Sequence, residues 1–307
     1  MLLAGDRTMD TLQSARKSTP QLGRRLALTG LAFPSVALLV VVNAYPLLFA
    51  IVQSVHGGTL VATGEFVGLQ NFSEVLFSGD FWRATWFTLV FTASGVLGSW
   101  ILGFALALLL RAEFPGKNAF KVLLLLPWIV PIVVTSMSWN WLLAARDSLL
   151  PSIARALGMG NVMFLGNPTL AMVTVCLFKI WISYPFMMMM CAAALESVET
   201  SIYEASEIDG ASKWQRFFLI VLPVTARSTY ISWILMAVFC VNDFPTIFLL
   251  TRGGPLEATT SLVILAFRTV FLDFLPGPGL AIAFFMTVVM ILLSVVFLRR
   301  IQRASLQ

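Results

Sequence analysis

The sequence predicts an all-α integral membrane fold with six transmembrane helices, and three observations carry that prediction. Of the 307 residues 59% are hydrophobic and only 11% charged, under half the ~25% usual in soluble domains. Residues 26–64, 84–110, 122–145 and 274–298 contain no Asp, Glu, Lys or Arg. Each run can hold one helix across a bilayer, which takes roughly 20 apolar residues. Lys and Arg alternate along the chain, with fourteen in one set of polar segments and five in the other.

In chain order, residues 1–27 read as a polar, basic tail, unstructured over 1–20. The apolar run that follows is too long for the core of a cleavable signal peptide. Span one, at 28–55, contains Pro34 and Pro46, which membrane helices tolerate because neighbours satisfy the freed backbone groups. The loop 56–82 has no Lys or Arg, and His56 is expected to be solvated. Span two, at 85–110, carries Gly95, Ser99 and Gly103 four residues apart, a stripe that lets another helix approach closely. Span three covers 121–143, and the Gly-, Pro- and Asn-rich loop 144–168 contains a short helix near 148–157. Span four (169–195) and span five (229–251) each hold one charge, Lys179 and Asp243. Span six covers 279–298, so a membrane domain at 28–299 precedes a short tail at 300–307.

Orientation follows from the basic residues, which concentrate on the cytoplasmic side. Both termini and the polar loop 196–228 are therefore expected in the cytoplasm. The pI near 9.4 reflects this bias and does not point to nucleic acid. Cys176, Cys191 and Cys240 all fall in predicted spans and read as small packing residues, not as a disulfide framework or metal site. With one histidine and 15 acidic residues, the inventory is too thin for an intramembrane enzyme. No G-x-x-x-x-G-K-[ST] loop occurs, so the chain is not expected to bind ATP through a P-loop.

The loop between spans four and five is the most informative segment: SIYEASEIDGASKWQRFFLIVLP, residues 201–223. Ser201 and Glu204 have capping-box spacing, so a short helix is expected to start at Ser201. Asp209-Gly210 supplies a stop, since glycine readily takes a positive φ. A second helix then begins at Ala211-Ser212 and runs into span five, with Pro223 at the entry. This is a helix–turn–helix lying along a membrane surface.

Glu204, Ala205, Asp209, Gly210, Ala211, Ile220, Leu222 and Pro223 fall where the EAA loop of binding-protein-dependent ABC importers has them. The chain resembles the sugar-permease branch of that family, of the maltose and glycerol-phosphate type. Weaker matches occur in the family's order: G-L-x-N-F with a later F-W (68–82), L-P with P and W-x-W (126–141), and T-x-G-G-P (251–255). The resemblance implies half of a translocation pore, without enzymatic activity of its own, in the bacterial cytoplasmic membrane. It implies as partners a second homologous permease subunit, two copies of an ABC ATPase carrying the ATP and Mg, and an extracytoplasmic sugar-binding protein. Glu204 would anchor the loop in the ATPase.

Ionisable groups inside a span are costly and mark function by default. Lys179 and Asp243 lie about ten and eight residues in from one end of their spans, roughly 15 and 12 Å deep. They read either as lining a substrate path or as an ion pair joining two helices. Counting outward from the matched loop, the family's sugar-contacting positions fall near Lys179, Ser183, Phe186, Met236, Cys240 and Asp243; Asn242 and Asn140 are secondary candidates. Trp139 and Trp141 read as interface anchors, and Met187–Met190 as lipid-facing or packing surface. An ion- or proton-coupled secondary transporter using Lys179 and Asp243 is the alternative, although no internal repeat supports it. The transported sugar is not legible.

Overall fold

The computed structural model describes residues 21–304, with side chains omitted at 21–29, 200, 300 and 302–304. The expected tail over 1–20 and the last residues of the C-terminal tail lie outside the described residues. The chain divides into two units, residues 1–53 and 54–307. In the first, a single helix, α1 (Gln21–Ser54), runs through both Pro34 and Pro46.

The second unit is a helical bundle. A two-stranded antiparallel ribbon, β1 (His56–Gly58) and β2 (Thr63–Phe66), leads into α2 (Gln70–Phe77) and α3 (Gly79–Leu109). Then come α4 (Lys117–Ile129), α5 (Ile132–Leu143), α6 (Leu149–Ala156) and α7 (Pro168–Glu196). The polar loop forms α8 (Thr200–Ile208) and α9 (Lys213–Arg216). A π turn (Phe217–Val221) joins α9 to α10 (Leu222–Val241), followed by α11 (Phe244–Leu250), α12 (Leu262–Phe271) and α13 (Pro276–Ala304). Among the described residues, five helices are long and apolar enough to cross a membrane, and the bent pair α4–α5 supplies a sixth.

Two of the six expected spans are corrected. Span three is not one straight helix: α4 and α5 meet at 87° around Val130-Pro131. Pro131 has no N–H to continue the ladder, and it forces Val130 into extended backbone (φ −69°, ψ 132°). Span five, expected at 229–251, starts instead at Lys213 and ends at Val241. It opens on Lys213-Trp214-Gln215-Arg216 and carries Pro223 and Arg227, so a hydropathy reading starts it too late. The π turn falls just before Pro223, whose ring cannot sit against a carbonyl one α-turn back. The chain breaks again at Asn242-Asp243 before α11 begins.

The closest helix pair is α3 with α7, and glycine makes it possible. A Cβ on Gly103 would lie 2.6 Å from the backbone nitrogen of Met188 on α7, and one on Gly95 would lie 3.1 Å from Lys179 Cγ on α7 and 2.7 Å from Cys240 Sγ on α10. The small-residue stripe thus packs as expected. Around it lie three apolar clusters: Phe87, Phe91, Phe178, Met187 and Met236 in one; Val75, Phe81, Leu262 and Ile282 in a second; Phe104, Leu195 and Val221 in the third. All three cysteines are buried and free. His56 is half-buried and meets Phe66 edge-on at 5.4 Å, not fully solvated as expected.

Candidate functional site

Two polar features interrupt this apolar bundle. The first is the exposed loop joining α7 to α10. Helix α8 starts at Thr200, with Glu199 at its N-cap and no side-chain cap bond, so the expected Ser201–Glu204 box does not form. Ser201 already lies inside the first turn. The capping box is made one helix later: Gln215 N donates to Ser212 Oγ (3.3 Å), and Ser212 N donates to Gln215 Oε1 (2.8 Å). Between the helices Asp209 ends α8 and Gly210 takes φ +73°, as the sequence predicts. Ala211 N donates back to Ser206 O at 3.0 Å, closing the turn.

Tertiary contacts set the loop against the bundle. Arg216 pairs with Glu207, tying α9 to α8. The Arg111 guanidinium, just past α3, stacks 4.4 Å from the Tyr203 ring centre and donates to its hydroxyl at 2.6 Å. Tyr203 and Phe217 pack on the third apolar cluster. Ser206 is buried, whereas Glu204, Ala205, Asp209 and Gly210 are exposed. Ile208 leaves 87% of its surface in the open, and Trp214 leaves 73%. Ala211 is half-buried, and Pro223 is exposed at the start of α10.

The second feature lies in the middle of the bundle. Lys179 Nζ donates to Asp243 Oδ2 at 2.6 Å, with side chains only 7% and 3% exposed. Asp243 also caps α11: Thr246 N donates to Oδ1 (3.1 Å) and Thr246 Oγ1 to Oδ2 (2.8 Å). The break at Asn242-Asp243 therefore frees backbone groups that the carboxylate satisfies. The Phe91 ring lies 5.9 Å from the ammonium. Two isolated charges here would each cost several kcal/mol, so pairing and capping are the condition for burying them.

A cavity of about 390 Å³ opens beside this pair. Lys179, Ser183, Met236, Asn242 and Asp243 line it, together with Trp128 through Ile132 from the α4–α5 bend. Five of the seven sequence-predicted path residues thus converge. Phe186 stands behind the wall, stacked on Trp128 with ring centres 5.3 Å apart. Cys240 is buried towards Gly95 and does not line the cavity. Trp128 was not singled out by sequence reasoning; only the bend carries it here, and Pro131 was the available signal. Trp139 is corrected: it packs on Phe178 (5.4 Å) and Trp181 (5.2 Å) in the core, whereas Trp141 is 76% exposed as an anchor would be. Asn140 Nδ2 donates to Leu250 O at 2.7 Å, holding α5 to the end of α11.

Comparison with known proteins fits this architecture. Residues 95–305 match the model of the family described as binding-protein-dependent transport system inner membrane component. A trehalose/maltose transport system permease protein of Thermococcus litoralis is 33% identical over 78% of this chain and 81% of its own. A sulfoquinovosyl glycerol transport system permease protein of Agrobacterium fabrum is 30% identical over 92% of each chain. Among solved structures, a bacterial alginate ABC transporter chain, crystallised with an alginate-bound periplasmic protein, superposes with a TM-score of 0.77 at 19% identity. That likeness covers 90% of this chain and 94% of the other, and it supports the fold alone. These relatives are permeases rather than enzymes. A helical bundle with a polar loop before its fifth span, matched over residues 95–305, places this chain in the binding-protein-dependent transport system inner membrane component family, as a pore-forming permease of an ABC importer.

Proposed function

We propose that this permease carries carbohydrate and takes its driving force through the loop 201–223. The observation that carries the coupling half of this reading is the exposed helix–turn–helix itself. Glu204, Ala205, Asp209 and Gly210 lie open on a loop whose base is fastened to the bundle through Arg111, Tyr203 and Phe217. Such an element is available to a partner's groove and stiff enough to transmit its movement. The partner is an ABC ATPase, two copies per transporter, which binds ATP and Mg and hydrolyses the nucleotide. Ala211 and Pro223 shape the turn and the entry to α10. A second permease subunit completes the pore, and an extracytoplasmic binding protein delivers the substrate. ATPase closure pushes α8, and α7 and α10 rock around the cavity between them, which opens to alternate sides.

The carbohydrate assignment rests on the sugar-permease motifs and on the kinds of solute named for the relatives. The substrate path comprises Lys179, Ser183, Met236, Asn242 and Asp243, with Phe186 and Cys240 behind it. The basic-residue bias puts both termini and the loop in the cytoplasm of a bacterial inner membrane. Single cysteines at 70 and 256 should then react with an impermeant reagent in intact cells, and cysteines at 117 and 209 should not. Labelling at 209 from outside would overturn both the orientation and ATPase docking. For coupling, the test is co-purification of the ATPase with Gly210→Val, in which a β-branched residue cannot hold φ +73° without strain. Undiminished assembly and uptake would remove the loop from the mechanism.

A further inference from the structure

The cavity beside Lys179 holds a more specific signal than carbohydrate in general. We infer that it selects uncharged sugars over sugar phosphates and sugar acids, and that Trp128 supplies the face on which the ring stacks. This rests on the carbohydrate reading above and sharpens it. Among the described residues, Lys179 and Asp243 are the only charged ones lining the cavity, and they neutralise each other at 2.6 Å. One ammonium proton is committed to Asp243, which leaves two to donate. Three bonds already fill most of the carboxylate's acceptor sites, two from Thr246 and one from Lys179.

The remaining polar atoms are of mixed character. Ser183 is 1% exposed, and its Oγ has no partner among the described residues, although it lines the cavity. Asn242 spends one of its two amide N–H groups on Val238 O (3.0 Å), leaving the other as a donor and its carbonyl oxygen as an acceptor. Spare donors and spare acceptors side by side suit hydroxyl groups, which do both. A phosphate or carboxylate only accepts. It would also bring a second negative charge beside Asp243, where low dielectric makes repulsion strong.

Part of the lining is aromatic. Trp128 stacks on Phe186 (28° between planes), and Phe239 closes the corner at 5.8 Å from Phe186. Trp128 and Phe239 both line the cavity. An apolar C–H face of a pyranose can lie on such a ring while its hydroxyls reach the Lys179–Ser183–Asn242 edge. A linear polyol phosphate offers hydroxyls to that edge but has no pyranose face for the ring, and it adds the negative charge.

The experiment is equilibrium binding to the purified full-length complex, permease pair with ATPase, using radiolabelled maltose, trehalose, glucose 6-phosphate and galacturonate. The wild-type complex is expected to retain a neutral sugar and to favour it at least ~tenfold over both anions. Trp128→Leu should weaken the neutral sugar ~tenfold, the magnitude of one lost aromatic stack, while leaving charge discrimination intact. Asp243→Asn, which unmasks the Lys179 charge, should reverse the preference towards the anions. Where Asp243→Asn fails to accumulate in the membrane, the wild-type panel and Trp128→Leu decide. Equal retention of neutral and anionic sugars by the wild type would overturn charge selection. Unchanged neutral binding in Trp128→Leu would overturn the stacking face. Retention of no carbohydrate of either charge would instead sink the carbohydrate reading beneath it.

Discussion

The polar loop and the buried ion pair are built by opposite means. The loop takes its shape from neighbours in sequence: Gly210 turns the chain, Ser212 and Gln215 cap the next helix, and Arg216 reaches back nine residues to Glu207. Lys179 and Asp243 are 64 residues apart and meet only because α7 and α10 pack. The tip of the loop is exposed, yet on the reading above every transport cycle runs through it. The pair is buried and holds two helices together. Substitutions should therefore separate function from stability in one region and entangle them in the other.

The sharpest way to break this contrast is Glu204→Lys. It reverses a charge on an exposed side chain, so membrane abundance and melting temperature should stay near wild type while ATP-dependent uptake is abolished. A folding defect in this variant would show that the loop is not the separable element described here. Next in size is the central pair. Lys179→Met or Asp243→Leu alone leaves an uncompensated charge at bilayer depth and should destabilise by about 3–5 kcal/mol. The double variant should recover abundance but not transport; full uptake by it would reduce the pair to a structural staple. Smaller is Gly103→Leu, which drives a side chain against the Met188 backbone 2.6 Å from the new Cβ and should cost about 1–3 kcal/mol by thermal unfolding. Unchanged stability there would mean that α3 and α7 pack less closely than described. The smallest effect is Ser212→Ala, which removes the α9 cap and should cost ~1 kcal/mol. A larger loss would show that the loop does carry fold stability.

What could be read from the sequence follows the same division. Spans one, two, four and six, the stripe on α3 and the turn at Gly210 depend on composition and short-range geometry, and all are present. Two boxes of similar spacing compete in the loop, Ser201–Glu204 and Ser212–Gln215. Only the second forms, because α8 begins one residue early and absorbs Ser201. Pro131 was visible, but membrane helices often pass through proline, so an 87° bend could not be told from a mild kink. Asp243 was visible as a charge, but not as the cap of a new helix, since hydropathy runs straight across Asn242-Asp243. Trp139 was read as an anchor from its distance to a helix end but packs on Phe178 and Trp181, and Trp128, which no sequence signal singled out, reaches the cavity through the bend. Convergence of the α4–α5 bend, α7 and α10 on one cavity is a tertiary fact, of which Pro131 is the one local trace.

The π turn at Phe217–Val221 has one further consequence. In register terms it is a single inserted residue that the helix has absorbed without unwinding. An α-helix advances about 100° per residue, so deleting one position there would restore regular winding and swing everything upstream by that angle. Glu204 would then face a different direction relative to Asp243, with every side chain of both still in place. Alignments of relatives that differ by one residue between Gly210 and Pro223 thus compare differently clocked levers, and a chimera joined across that point inherits the phase of whichever parent supplies the extra residue.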